Sequence, residues 1–156
     1  MQKLMGQLRR CIEDYHMIEE GDRIAVGVSG GKDSLTLLYL LAQVREYYPK
    51  RFALEALSID MGLGGMDFSP VAALCERLGV PYYCKKTQIG TIIFDHRKEK
   101  NPCSMCAKMR RGALNDLLVE RGFNKIALGH HYDEVIETIL MGMLYGAQVQ
   151  TMMPKL

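Results

Sequence analysis

The chain has 156 residues, 48% of them hydrophobic and 24% charged, which fits one globular domain and excludes a disordered tail. Its most apolar run, Leu35 to Ala42, is about eight residues long against the roughly 20 that a bilayer demands, so no membrane-spanning helix is expected. A net charge of +2 names no partner by itself. Five cysteines is an odd number, and the charged N-terminus "MQKLMGQLRRCIEDYH" has no apolar leader, which argues against a disulfide framework and for a cytoplasmic protein.

Residues 2–18 carry Leu4, Leu8, Cys11, Ile12 and Tyr15 on one helical stripe, and "EGD" at 20–22 ends the pattern. The expected organisation is an N-terminal helix over 1–20 packed on a single domain over 21–156. "RIAVGVS" (23–29) predicts a buried strand, and residues 33–47 a helix with Leu37, Leu38, Leu41 and Val44 at helical spacing. "FALEALSID" (52–60) predicts a second strand, followed by the glycine-rich loop "MGLGGMDF". "SPVAALCERLG" predicts a helix with Ser69 as N-cap, Pro70 in the first turn and Gly79 as its stop. "VPYYCKK" (80–86) predicts a third strand, and 87–100 an irregular segment. Residues 101–122 predict a helix with Asn101 as N-cap, 124–130 a fourth strand and 132–146 a long helix. Strands alternating with helices predict a doubly wound α/β fold, a mostly parallel sheet with helices on both faces. No strand pattern follows in "AQVQTMMPKL", so the fold is expected to continue past Leu156.

"VGVSGGKDSLTLL" (26–38) invites comparison with an ATP-binding P-loop, G-x-x-x-x-G-K-[ST]. It fails twice: Val26 stands where the first glycine belongs, and Asp33 where a Mg²⁺-binding Ser or Thr belongs. The spacing also rejects the dinucleotide G-x-G-x-x-G. The physics of the turn survives both failures. Adjacent glycines expose backbone N–H groups, the helix start adds partial positive charge and Lys32 a full one, so the turn suits a phosphate or pyrophosphate.

Three further segments bear chemistry. Cys103 and Cys106 lie three apart at a helix start, where the dipole favours thiolate; such a pair can carry sulfur, exchange disulfides, bind metal or form half a zinc site. Cys11, Cys75 and Cys84 sit in helix or strand patterns as small hydrophobes. "GHHYDE" (129–134) ends a strand with His130 and His131 and opens a helix with Asp133, Glu134 and then Glu137. Asp133 could hold Mg²⁺ or simply match the helix dipole. The "SGGKDS" turn, Asp60 with its loop and "GHHYDE" should converge outside the carboxyl ends of the strands. Residues 97–111 hold Arg97, Lys98, Lys100, Lys108, Arg110 and Arg111 against Glu99, either a solvated helix face or an RNA contact.

"SGGKDS" (29–34) resembles the SGGxDS loop of the N-type ATP pyrophosphatases, the PP-loop superfamily. "PCSMCAKMRRGAL" (102–114), "KIALGHHYDEVIETILMGMLYG" (125–146) and the closing "MMPKL" narrow the resemblance to the tRNA 2-thiocytidine synthetases, across essentially the whole chain. The resemblance implies that Ser29, Gly30, Gly31, Lys32, Asp33 and Ser34 grip the phosphates of ATP, with Lys32 and Asp33 catalytic. Asp60, Gly129 and His130 would meet the nucleotide, and Asp133 would hold Mg²⁺. Cys103 and Cys106 would be two ligands of a [4Fe–4S] cluster whose third cysteine this chain lacks. Two aspartates are usual where Asp133 and Glu134 stand. The implied reaction adenylates a cytidine C2 carbonyl in a tRNA anticodon loop, releases pyrophosphate and installs sulfur. The sulfur donor would be a cysteine desulfurase or inorganic sulfide, Arg97, Lys98, Lys108, Arg110 and Arg111 would contact tRNA, and a homodimer is one option. The rivals are a lysidine-type or 2-thiouridine-type ligase of the same superfamily and a nucleotide- or metal-binding module without catalysis.

Overall fold

A computed structural model describes residues 2–93 and 102–146. Six helices and four strands follow in chain order: α1 (Gln2–Asp14), β1 (Arg23–Gly27), α2 (Lys32–Tyr47), β2 (Ala53–Asp60), α3 (Ser69–Arg77), β3 (Tyr82–Lys86), the short α4 (Ile89–Thr91), α5 (Pro102–Glu120), β4 (Lys125–Leu128) and α6 (Tyr132–Gly146). The strands form one sheet in the order β3-β2-β1-β4, and every pair is parallel.

Alternation along the strands builds two cores. Ile24 and Val26 of β1 and Leu54 and Ala56 of β2 point to one face, where α1, α2 and α3 bring Ile12, Leu38, Leu41, Val71 and Cys75. Ala25, Leu57 and Ile59 point to the other, against Ile89 and Leu117 of α4 and α5. Side chains on successive strand residues leave opposite faces, so a strand covered on both sides reads as a continuous apolar run. Fully burying a leucine such as Leu38 or Leu57 stabilises by about 1.5–3 kcal/mol, which makes these positions the anchors of the two layers.

The termini of several elements fall short of the sequence expectations. Helix α1 stops at Asp14, because His16 takes a left-handed conformation (φ 47°) and turns Met17 and Ile18 inward. Ser69 does not cap α3. Asp67 accepts bonds from the Ser69 N–H (2.8 Å) and Oγ–H (2.9 Å), and Ser69 becomes the first helical residue. The carboxylate two residues upstream engages both donors of Ser69 itself, which leaves the helix without a side-chain cap. The segment after β3, expected to be irregular, contains α4. Asn101 and the 94–100 stretch lie outside the described residues.

At the amino-terminal end of the sheet, the carboxylate of Asp22 is 5% exposed and ties the turn before β1 to the start of β4. It accepts bonds from Lys125 Nζ (2.5 Å), Asn124 Nδ2 (2.7 Å) and the Glu19 N–H (2.6 Å). This network fixes β4 beside β1 at the edge opposite the candidate site.

Candidate functional site

The glycine-rich turn starts from a fixed base. Val28 donates its N–H to Leu57 O (2.8 Å), and Ser58 Oγ donates to Val28 O (2.6 Å), so the chain leaves β1 anchored to β2. Gly30 then adopts φ 84°, a left-handed conformation that side chains resist. Gly31 precedes α2, and no side chain caps that helix. The first amides of a helix have no partner inside it, so an uncapped start leaves N–H donors and positive partial charge for an anion.

The two serines of the motif divide the work. Ser34 is 6% exposed; its hydroxyl donates to Gly31 O (2.9 Å) and its oxygen accepts from the Ser29 N–H (3.3 Å). Ser34 therefore shapes the loop. Ser29 stands at the mouth, its Oγ 3.3 Å from Ser34 Oγ. The Lys32 side chain is 85% exposed and 3.4 Å from the Asp33 carboxylate, a loose pair that a phosphate can replace.

Strand order decides what faces this turn. From β1 the chain proceeds to β2 on one side, while β4 lies on the other, so the order reverses between β1 and β4. A crevice opens at such a switch point, outside the carboxyl ends of the strands. "SGGKDS" follows β1 and "GHHYDE" follows β4, so both flank it. They touch at Gly129: an added Cβ there would lie 2.9 Å from Ser34 N and 3.0 Å from Asp33 O.

Beyond Gly129, His130 Nδ1 is 2.8 Å from Glu134 Oε2, which also accepts the His131 N–H (3.2 Å). The His130 hydrogen bond first, then that of the His131 amide, holds the Glu134 carboxyl below its usual range. His131 Nδ1 lies 3.8 Å from the exposed Asp133 carboxylate. Among the described residues no group of three or more His, Cys, Asp and Glu side chains is arranged to hold a metal ion. His130, Glu134, Glu137, Thr138 and Met141 line a shallow, open groove of about 450 Å³.

At the end of β2, Asp60 Oδ1 accepts the Gly62 N–H (2.9 Å), and Asp60 O accepts both the N–H and the Oγ–H of Thr87 (each 2.8 Å). The next residue, Met61, meets the fourth site segment: Cys106 Sγ is 3.2 Å from Met61 Sδ. This contact brings the start of α5 to the carboxyl edge of the sheet, and spacing gave no signal of it. The Cys103 side chain lies outside the described residues. Cys75 is in the core of the opposite face, where burial pushes its thiol up, and Cys11 and Cys84 lie on α1 and β3. Cys106, half-buried beside a thioether, suits a soft metal group, but an iron–sulfur cluster needs more thiolates than the described residues bring together. Lys108, Arg110 and Arg111 are exposed on α5, and Lys108 and Arg111 flank a second open groove with Ala107, Gly112 and Asn115. Arg97 and Lys98 lie outside the described residues.

Known proteins resemble this chain in sequence and in fold. The chain is 41% identical over its full length to the tRNA-cytidine(32) 2-sulfurtransferase of Serratia proteamaculans, and 39% identical over 99% of it to that of Geobacter metallireducens. It spans 52% and 60% of the lengths of these curated relatives. Among solved structures it is similar to the U34-tRNA thiolase NcsA from Methanococcus maripaludis with its [4Fe–4S] cluster. That match has a TM-score of 0.79 and 28% identity, over 91% of this chain and 50% of that one. The NH3-dependent NAD synthetase from Campylobacter jejuni shares the fold at a TM-score of 0.58 and 19% identity, over 85% of this chain and 58% of that one. A family model described as a PP-loop domain matches residues 2–154, and the chain belongs to that family.

Proposed function

We propose that this chain is the ATP-binding and adenylating part of a tRNA-cytidine thiolating enzyme. The observation that carries the reading is the contact of Gly129 with Ser34, which sets "GHHYDE" against an open, uncapped phosphate loop at the switch point. The relatives' names and the thiolase neighbour support tRNA as the substrate and sulfur transfer as the outcome.

In this reading the pyrophosphate of ATP occupies the N–H groups of residues 30–34, with Lys32 replacing its loose pair to Asp33 by a phosphate oxygen. The C2 carbonyl oxygen of cytosine attacks the α-phosphorus. The bond to the β-phosphate oxygen breaks and pyrophosphate leaves with its electron pair. Fixed N–H donors and a cation aimed at the leaving group stabilise charge where it develops. Asp133 is the first choice for a Mg²⁺ ligand on the phosphates. A sulfur nucleophile then adds at C2, the C–O bond breaks, and AMP departs. Cys103 and Cys106 are the pair for that sulfur chemistry, and the Cys106–Met61 contact at the carboxyl edge supports it. A ligase that attacks with an amine has no need of a thiol there. Lys108, Arg110 and Arg111 supply phosphate-backbone contacts to tRNA, with Arg97 and Lys98 in the same basic run.

The test is pyrophosphate release by the chain with ATP, Mg²⁺ and unmodified tRNA. Release that requires tRNA carries the reading. ATP binding without tRNA-dependent release, repeated with sulfide added, sinks it and favours a nucleotide-binding module.

A further inference from the structure

Glu134 makes two hydrogen bonds at the start of α6, and they have different meanings. The bond from the His131 N–H returns from the third helical residue to the residue before the helix. That is half of a capping box and accounts for a carboxylate at this position. The bond with His130 Nδ1, at 2.8 Å, does nothing for the helix end. It engages a ring that is half exposed and lines the groove beside Gly129, whose backbone touches the phosphate loop.

An ionised carboxylate can only accept, so the proton of this bond must sit on Nδ1. In the neutral ring Nε2 is then an unprotonated acceptor, the reverse of the form a free histidine side chain favours. Nε2 makes no hydrogen bond among the described residues. His131 differs: its ring lies 3.8 Å from Asp133 and does not line the groove.

We propose that Glu134 is a positioning residue that locks His130 in the Nδ1–H form and presents Nε2 in the groove as an acceptor for an N–H donor of the bound base. The exocyclic amine of a cytosine is such a donor; a uracil presents a carbonyl oxygen at that position and keeps only its ring N3–H. Glu134 acts through His130 and touches no reacting atom. The role in base choice rests on the adenylating reading above, whereas the tautomer does not.

A long-range ¹H–¹⁵N spectrum of the labelled chain near neutral pH reads the tautomer directly. The expected result is Nδ1–H for His130 in the wild type and a shift toward Nε2–H in Glu134→Ala. Glu134→Gln, whose amide oxygen can still accept from Nδ1, should keep the native form. With tRNA and ATP, Glu134→Ala should lower pyrophosphate release about tenfold to a hundredfold, by analogy with the carboxylate partners of metal-binding histidines. Glu134→Gln should restore most of it, and Glu134→Ala should cost nothing further in a His130→Ala background. An Nε2–H signal in the wild type overturns the proposal, as does a Glu134→Ala loss that adds in full to that of His130→Ala. If the wild type itself releases no pyrophosphate, the adenylating reading falls and the spectrum alone decides the clamp.

Discussion

Gly129 and Ser34 meet backbone to backbone, 95 positions apart in the chain and joined by the pairing of β1 with β4. A Cβ on Gly129 would stand 2.9 Å from the Ser34 amide nitrogen. Neither partner is the far end of a flexible side chain, so neither can yield cheaply. Gly129→Ala should therefore push the phosphate loop out of place. We expect a stability loss of about 1–3 kcal/mol and at least a tenfold loss of ATP affinity. Calorimetric titration with a non-hydrolysable ATP analogue checks this, and wild-type affinity in the variant would refute it.

Lys32 contributes little to the fold, because its side chain is 85% exposed and its ion pair with Asp33 is loose. Lys32→Ala should change stability by less than about 0.5 kcal/mol. Its effect on ATP should be much larger, about tenfold to a hundredfold in affinity, as for one charge-assisted bond worth about 1.5–3 kcal/mol. Thermal melting and ATP titration of the same sample separate the two.

Cys106 separates the halves of the proposed reaction. Cys106→Ser should leave tRNA-dependent pyrophosphate release near the wild-type rate while abolishing the thiolated nucleoside. Pyrophosphate-release kinetics and nucleoside mass spectrometry measure the two products. Loss of both together would mean that the Cys106–Met61 contact supports the nucleotide site itself.

Asp22 makes stability depend on acid. Burial alone would raise its carboxyl, but bonds from Lys125, the Glu19 amide and Asn124 outweigh burial and hold it below the usual carboxylate range. A group depressed in the folded state stabilises above its unfolded value, about 3.9, and loses that contribution as pH falls through the lower folded value. Unfolding free energy should drop below about pH 4 and be flat in this contribution from pH 5 to 8. Asp22→Asn should cost about 2 kcal/mol at pH 7 and blunt the acid limb in denaturant titrations at several pH values.

The exposed cations of α5 should act on RNA without reading sequence. Replacing Lys108 or Arg111 by Ala should weaken tRNA binding and lower the slope of log affinity against log salt by about one per residue. Filter binding from low to moderate salt gives both numbers. An unchanged slope would return this stretch to a solvated helix face.

Much of this was legible in the order of residues. Short β-branched runs alternating with amphipathic segments specify a parallel α/β layer, because each pattern buries in only one way. The failure of "VGVSGGKDSLTLL" as a P-loop was equally plain, since Val26 and Asp33 occupy positions where that loop needs other chemistry. Local ends were less legible. Ser69 is not the cap of α3 because its own N–H and hydroxyl are taken by Asp67, so the helix starts one residue earlier than expected with Phe68 at the cap position, and only the final backbone settles which short polar side chain bonds where.

The sequence by itself determined which residues have phosphate-binding, thiol and carboxylate chemistry, because those properties belong to the residue and its immediate neighbours. Tertiary structure alone decided which of them share a site. The order β3-β2-β1-β4 put the switch point between β1 and β4, so Gly129 meets Ser34 and Cys106 meets Met61. It also decided that Ser34 holds the loop instead of facing outward, and that Glu134 faces His130 as well as its own helix end. The Gly129–Ser34 and Cys106–Met61 contacts depend on strand order and packing across many tens of residues, which no local spacing encodes, whereas the Ser34 and Glu134 bonds span three to five residues and depend on the final backbone of the turn and helix start.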